Sequence, residues 1–210
     1  MKIRLIIILL LASTCNAFSQ SFGVQAGIRV NASGIEYPGV DISRKTGFEG
    51  GVTFRQPLYI KSLSIRTGLL YFMQEFSLKN DMGNSTGITY HFSEDNLKIP
   101  VTIEWRPAKG LIKPFLHAGL YASCAISGRI KDNDSSNSLK YSGSSNRFDY
   151  GAIAGIGVYL TSSIALNANY EYGFSERDLS LGDQFVSVKN RGCSIALNYL
   201  FLKYKIYDVQ

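Results

Sequence analysis

Apolar side chains recur at every second position along most of this chain. From Phe22 to Val30 they are Phe22, Val24, Ala26, Ile28 and Val30, while Gln25, Arg29 and Asn31 occupy the other face. A period of two describes a half-buried β-strand. The alternation returns in Phe48, Val52 and Phe54, in Leu63, Ile65, Leu69 and Tyr71, and in Leu97, Ile99, Val101, Ile103 and Trp105. Leu116 to Cys124 and Tyr150 to Leu160 repeat it, followed by Ile164 to Tyr172 and Cys193 to Phe201. These runs predict about eight strands, the smallest common transmembrane barrel.

The connections alternate in length. Asn31–Lys45, Lys79–Asn96, Gly128–Asn146 and Ser175–Asn190 are long and polar, whereas those through Pro57, Pro107 and Ser162 are short. Long loops at one end and tight turns at the other fit an outer-membrane barrel, with the long loops outside the cell and both termini in the periplasm. Aromatic residues gather near the strand ends. Phe48, Phe72, Phe76, Tyr90, Phe92, Phe148, Tyr172 and Phe174 predict an outer belt, and Tyr59, Trp105, Phe115, Tyr199 and Phe201 an inner one.

A soluble lipocalin-like barrel would alternate as well, with its apolar side chains inside. Here the loop pattern and the belts favour a membrane, so the polar face becomes the lumen. That face carries Arg29, Glu49, Arg55, Arg66, Lys98, Glu104, His117, Asp149, Asn167, Asn169 and Glu171, interspersed with glycines such as Gly27, Gly51, Gly119 and Gly155. Glycines would make room for long charged side chains, and opposite charges would pair rather than stand alone at high cost. Arg29, Glu49, Arg66, Lys98, Glu104, Asp149 and Glu171 are therefore expected to form a structural polar cluster that plugs the lumen. Asp149 is expected to partner a lumenal arginine. The opposite face has essentially no charge, as lipid requires.

Lys2 and Arg4 precede an apolar run from Leu5 to Ala12 and then small residues through Ala17. This is the layout of a secretory signal peptide over residues 1–20, cut after 17–20, with residues 21–210 as the barrel domain. Removing Lys2 and Arg4 from the 22 basic residues leaves 20 against 16 acidic, a formal charge of +4. No dense basic run remains, so a nucleic-acid partner is not expected.

Three stretches carry a family resemblance: Phe22-Gly23-Val24-Gln25-Ala26-Gly27, Leu97-Lys98-Ile99-Pro100-Val101, and Phe148-Asp149-Tyr150-Gly151 running to Gly155-Ile156-Gly157. Together they resemble the PorT-like outer membrane β-barrel proteins of Bacteroidetes, over nearly the whole mature chain. The resemblance implies an outer-membrane barrel, and for PorT itself an association with protein secretion across that membrane. The chain departs from many bacterial barrels in continuing from Lys203 to Gln210 beyond Phe201. Pro100 forfeits a ladder hydrogen bond and predicts a bulge or bend that shapes the barrel.

Little in the sequence suggests chemistry. Cys124 and Cys193 lie on lipid-facing registers of strands that are not neighbours, so no disulfide is expected, and two histidines with distant thiols offer no zinc spacing. Asp132 and Asp134 give a weak calcium pattern in a polar loop. His91 lies beside Ser93 and Glu94, but adjacent residues of a strand face opposite ways, which breaks a hydrolytic triad. The expectation is a non-enzymatic barrel without cofactor or metal, contacting outer-membrane lipid. Its role is that of a structural or accessory component of an envelope or secretion assembly. The alternative is a ligand-binding or adhesive module acting through the long loops.

Overall fold

The computed structural model describes residues 21–31, 40–60, 62–80, 89–107, 113–131, 136–138, 147–181 and 184–201. The leader and the extension after Phe201 lie outside these residues, as do Asp132 and Asp134. Ten strands are described: β1 (Ser21–Asn31), β2 (Val40–Arg44), β3 (Thr46–Pro57), β4 (Leu63–Asn80), β5 (Thr89–Trp105), β6 (Lys113–Lys131), β7 (Ser136–Ser138), β8 (Phe148–Tyr159), β9 (Ile164–Leu181) and β10 (Gln184–Leu200). All pairings are antiparallel, and the order β3-β1-β10-β9-β8-β6-β5 closes through β4, which pairs with both β5 and β3. The result is a closed barrel of eight strands, with β2 continuing the β3 edge along the upper part of β4 and β7 lying against β6. No α-helix occurs among the described residues.

The outward registers carry the apolar runs. Ile99, Val101 and Ile103 of β5, Leu116 and Leu120 of β6 and Ile195 and Leu197 of β10 are all exposed. In water such a surface would be a large exposed apolar patch; in a bilayer it is the required one. The chain's two described ends meet at the short-turn end, where Phe201 donates its amide to the Phe22 carbonyl at 2.8 Å and Leu200 donates to Ser163. By the architecture of such barrels this end is periplasmic.

Three features differ from the sequence expectation. First, much of what reads as long loop is ladder. β4 pairs with β5 as far as Lys79↔Thr89, and β9 pairs with β10 as far as Gln184↔Leu181, so two hairpins rise beyond the outer aromatic positions. Their polar residues hide the alternation because neither face of a protruding hairpin need be apolar. Second, Pro100 makes no bulge. The β4–β5 register runs unchanged from Thr67↔Val101 to Leu70↔Lys98, and only the pairs between them are missing; the register shifts lie instead at Asp95/Asn96 and Lys189/Arg191. Third, the glycines serve mainly the backbone. A Cβ on Gly119 would lie 2.1 Å from the Val101 carbonyl oxygen and one on Gly51 2.1 Å from that of Leu69, so the neighbouring backbone approaches there more closely than a side chain allows. Gly155 fits the earlier expectation in part, since its Cβ would also meet the His117 ring at 2.5 Å, and a Cβ on Gly192 would meet the Arg29 guanidinium at 2.7 Å.

Candidate functional site: a charge-filled lumen

At mid-height four charged side chains from four strands meet across the barrel. Arg29 of β1 donates to Glu171 of β9 at 2.6 Å and lies 3.7 Å from Glu49 of β3. Lys98 of β5 donates to Glu49 at 2.5 Å and also to the second oxygen of Glu171. All four are essentially inaccessible. The alternation of each strand dictates this meeting, because every one of these residues shares a register with lumenal neighbours. Two cations and two anions balance, so the desolvation cost of each is offset by short, charge-assisted bonds. Phe72 lies beneath both cations, 4.6 Å from the Arg29 guanidinium carbon and 5.1 Å from the Lys98 ammonium, adding a cation–π contact.

The other acids and bases attach above and below. Asp149 of β8 accepts from Tyr121 at 3.0 Å, from Asn190 at 2.8 Å and from Ser175. Asn190 in turn accepts from Arg29 at 3.1 Å, so Asp149 joins the tetrad through an amide. Nearer the periplasmic mouth, Glu104 faces Arg55 at 3.0 Å and Arg106 at 3.7 Å, and accepts from the Tyr159 hydroxyl at 2.9 Å. Arg66 lies between the two groups and donates to Gln25 at 2.6 Å and Asn198 at 2.7 Å. The ladder of amides continues through Asn167, Asn169 and Ser194. Below Glu104 Phe115, Tyr159, Ala165 and Leu200 form an apolar cluster at the periplasmic end of the lumen, the Phe115 and Tyr159 rings 5.0 Å apart.

Of the seven residues selected from the sequence, four thus form one tetrad, Asp149 is bridged to it through Asn190 and Arg66 through Gln25, and Glu104 belongs to a lower level. Tyr121, Asn190 and Asn198 were missed, and Gln25, placed on the polar face, was not counted in the cluster. Tyr121 is in phase with His117 and Gly119, which was a usable signal; Asn190 sits in a stretch that reads as loop. The belt assignment needs correction at three rings: Phe72, Phe92 and Phe115 are buried in the lumen, and each shares the parity of polar lumenal residues on its strand. Phe48, Phe148, Tyr172, Phe174, Trp105 and Tyr199 do face outward, while the side chains of Phe76 and Tyr90 lie outside the described ones.

At the outer rim His91 Nδ1 lies 2.7 Å from the hydroxyl of Ser77, its cross-strand partner, and 3.4 Å from the Lys45 ammonium. Glu94 is buried on the opposite, lumenal face. Ser77 rather than Ser93 is therefore the hydroxyl at this histidine, which a reading confined to sequence neighbours could not find. Cys124 and Cys193 are free thiols on β6 and β10, strands that do not pair. Among the described residues no group of His, Cys, Asp and Glu is arranged to hold a metal ion.

The family model for the outer membrane protein beta-barrel domain matches residues 18–177, more than half of the chain. The chain belongs to that family. This outer membrane β-barrel superposes on a major outer membrane protein from Thermus thermophilus with a TM-score of 0.50, at 14% identity over 87% of this chain and 99% of that one. Neisserial surface protein A covers 98% of its own length and 86% of this chain at 16% identity and a TM-score of 0.46. Ail of Yersinia pestis, the attachment invasion locus protein, gives 13% identity, 87% and 99% coverage and a TM-score of 0.45. At such identities the likeness is one of fold. A comparison with curated proteins found no match. The protein is accordingly an outer-membrane barrel, with its apolar girdle in lipid.

Proposed function

We propose that this barrel is a non-enzymatic structural or accessory component of an envelope or secretion assembly, of the PorT-like kind, exported by a leader over residues 1–20. The observation that carries this reading is the lumen. A neutral tetrad and an apolar mouth lie in series across it, which suits a scaffold better than a conduit. The charges of the tetrad are spent on one another, leaving the barrel's outer surface and hairpins as the parts that meet other macromolecules. Gentle detergent extraction of the native outer membrane, followed by affinity capture and mass spectrometry, tests the reading. Stoichiometric recovery with other envelope proteins is expected; recovery of a lone barrel overturns the accessory role.

A second reading rests on the two hairpins that extend past the outer aromatic residues, β4–β5 and β9–β10. They would present polar edges to a surface ligand, as an adhesive or binding module. Removal of residues 81–88 would then abolish surface binding while leaving a folded, heat-modifiable barrel. A lipid-modifying activity at Ser77 and His91 is not part of either reading. Unchanged outer-membrane lipids on gene deletion and on His91→Ala are the expected result.

A further inference from the structure

The lower lumen carries more positive charge than its one carboxylate answers. Arg55 and Arg66 stand directly opposite each other on β3 and β4, a like-charge cross-strand pair, and both are buried. Glu104 serves Arg55 and Arg106. Arg66 is bonded to two neutral amides, both through Nη2, and its Nη1 has no hydrogen-bond partner. His117 of β6 is likewise buried, with the Asn169 amide beside it and no hydrogen bond of good geometry at either ring nitrogen. Arg66 and His117 line one small, partly enclosed cavity together with Gln25, Thr53, Thr102 and Asn169. Glu49 also reaches its wall, but one oxygen is taken by Gln25 and the other by Lys98.

A buried guanidinium without a counter-charge is expensive, and the cost is relieved by an opposite charge or by saturated hydrogen bonds. The centre of a water-sized sphere can move within about 20 Å³ of this cavity, slightly more than the roughly 10–15 Å³ that one such particle needs. Arg66 disfavours a cation, the small cavity suits a monatomic anion better than phosphate or a carboxylate, and a neutral water would satisfy donors without answering the charge. We propose that the lower lumen of this barrel binds one monatomic halide, chloride in the cell, on Arg66 and His117. The anion would complete the lower level as Glu49 and Glu171 complete the upper one.

Bromide is the probe. The purified full-length barrel in detergent is unfolded by heat in sodium bromide and in sodium gluconate at equal ionic strength, and crystals grown with bromide are measured at the bromine absorption edge. The midpoint is expected to rise by a few degrees with bromide and to saturate, as for a single site that binds the folded state. An anomalous peak is expected within hydrogen-bond distance of Arg66 Nη1. Arg66→Gln should remove both effects; if that variant does not fold, His117→Leu should still weaken the bromide dependence. Equal midpoints in the two salts, or a water without anomalous signal at the site, would overturn the proposal.

Discussion

Lys98 is bonded to two carboxylates that have one other cation, Arg29, between them. Replacing Lys98 with Met leaves Glu49 and Glu171 buried with half of their counter-charge, a loss of about 3–5 kcal/mol by the measured cost of breaking buried pairs. Adding Glu171→Gln restores neutrality with Arg29 and Glu49. The double variant should therefore unfold in urea with a loss smaller than the sum of the two single losses by about 1 kcal/mol or more. Strict additivity would mean that the four charges do not act as a unit. Gly119 tests a different force: Gly119→Val must push the β5 backbone away at Val101, for about 1–3 kcal/mol of strain and a reduced folded fraction on a heat-shift gel. The outward Ala122→Val on the same strand is the control and should fold normally. At this scale the lumenal charges were legible because parity alone separates Arg29 from Ile28 and Lys98 from Ile99. Phe72, Phe92 and Phe115 were misplaced when nearness to a strand end was allowed to outweigh that same parity.

Strands are where the sequence was most informative, because lipid on one face and packed charge on the other enforce alternation on every one of them. Ile99 and Leu120 occupy adjacent strands, both more than half exposed, in the middle of the apolar girdle. Ile99→Arg or Leu120→Arg should each lower the stability of the lipid-embedded barrel by about 2–4 kcal/mol, measured by urea titration in vesicles. The neighbouring apolar change Ile99→Leu should be silent. If Ile99→Arg were also silent, the outward face would not be in contact with lipid. What the pattern could not supply was the upper reach of β4, β5, β9 and β10. Tyr90 to Asn96 and Glu176 to Leu181 are hydrogen-bonded in register, yet above the lipid no medium demands an apolar face, so their composition resembles that of a loop. At Pro100 the missing N–H interrupts the pairing as expected, but the register is the same on either side, so the interruption adds no bulge.

Across the whole molecule, cross-bracing replaces the hydrophobic core that a soluble domain would have. Arg29 ties β1 to β9, and Lys98 ties β5 to both β3 and β9, so opposite walls are linked directly rather than through intervening strands. Beneath them Arg55, Glu104 and Tyr159 tie β3 to β5 and β8, and the Phe115 cluster packs at the periplasmic end of the lumen. Two barriers in series have a specific consequence for permeation. Planar bilayers containing the barrel should show no unitary current, and Phe115→Ala should remain silent as well, because the tetrad still blocks the axis. Lys98→Met alone should also stay silent, since the apolar mouth persists below it. Ion flow requires both layers to fail, so Lys98→Met combined with Phe115→Ala and Tyr159→Ala is the variant expected to leak, provided that the circular dichroism spectrum still reports a folded barrel. A steady conductance from the unmodified protein would show that the charged layer opens, and would move the search for its role from the outer surface to the lumen.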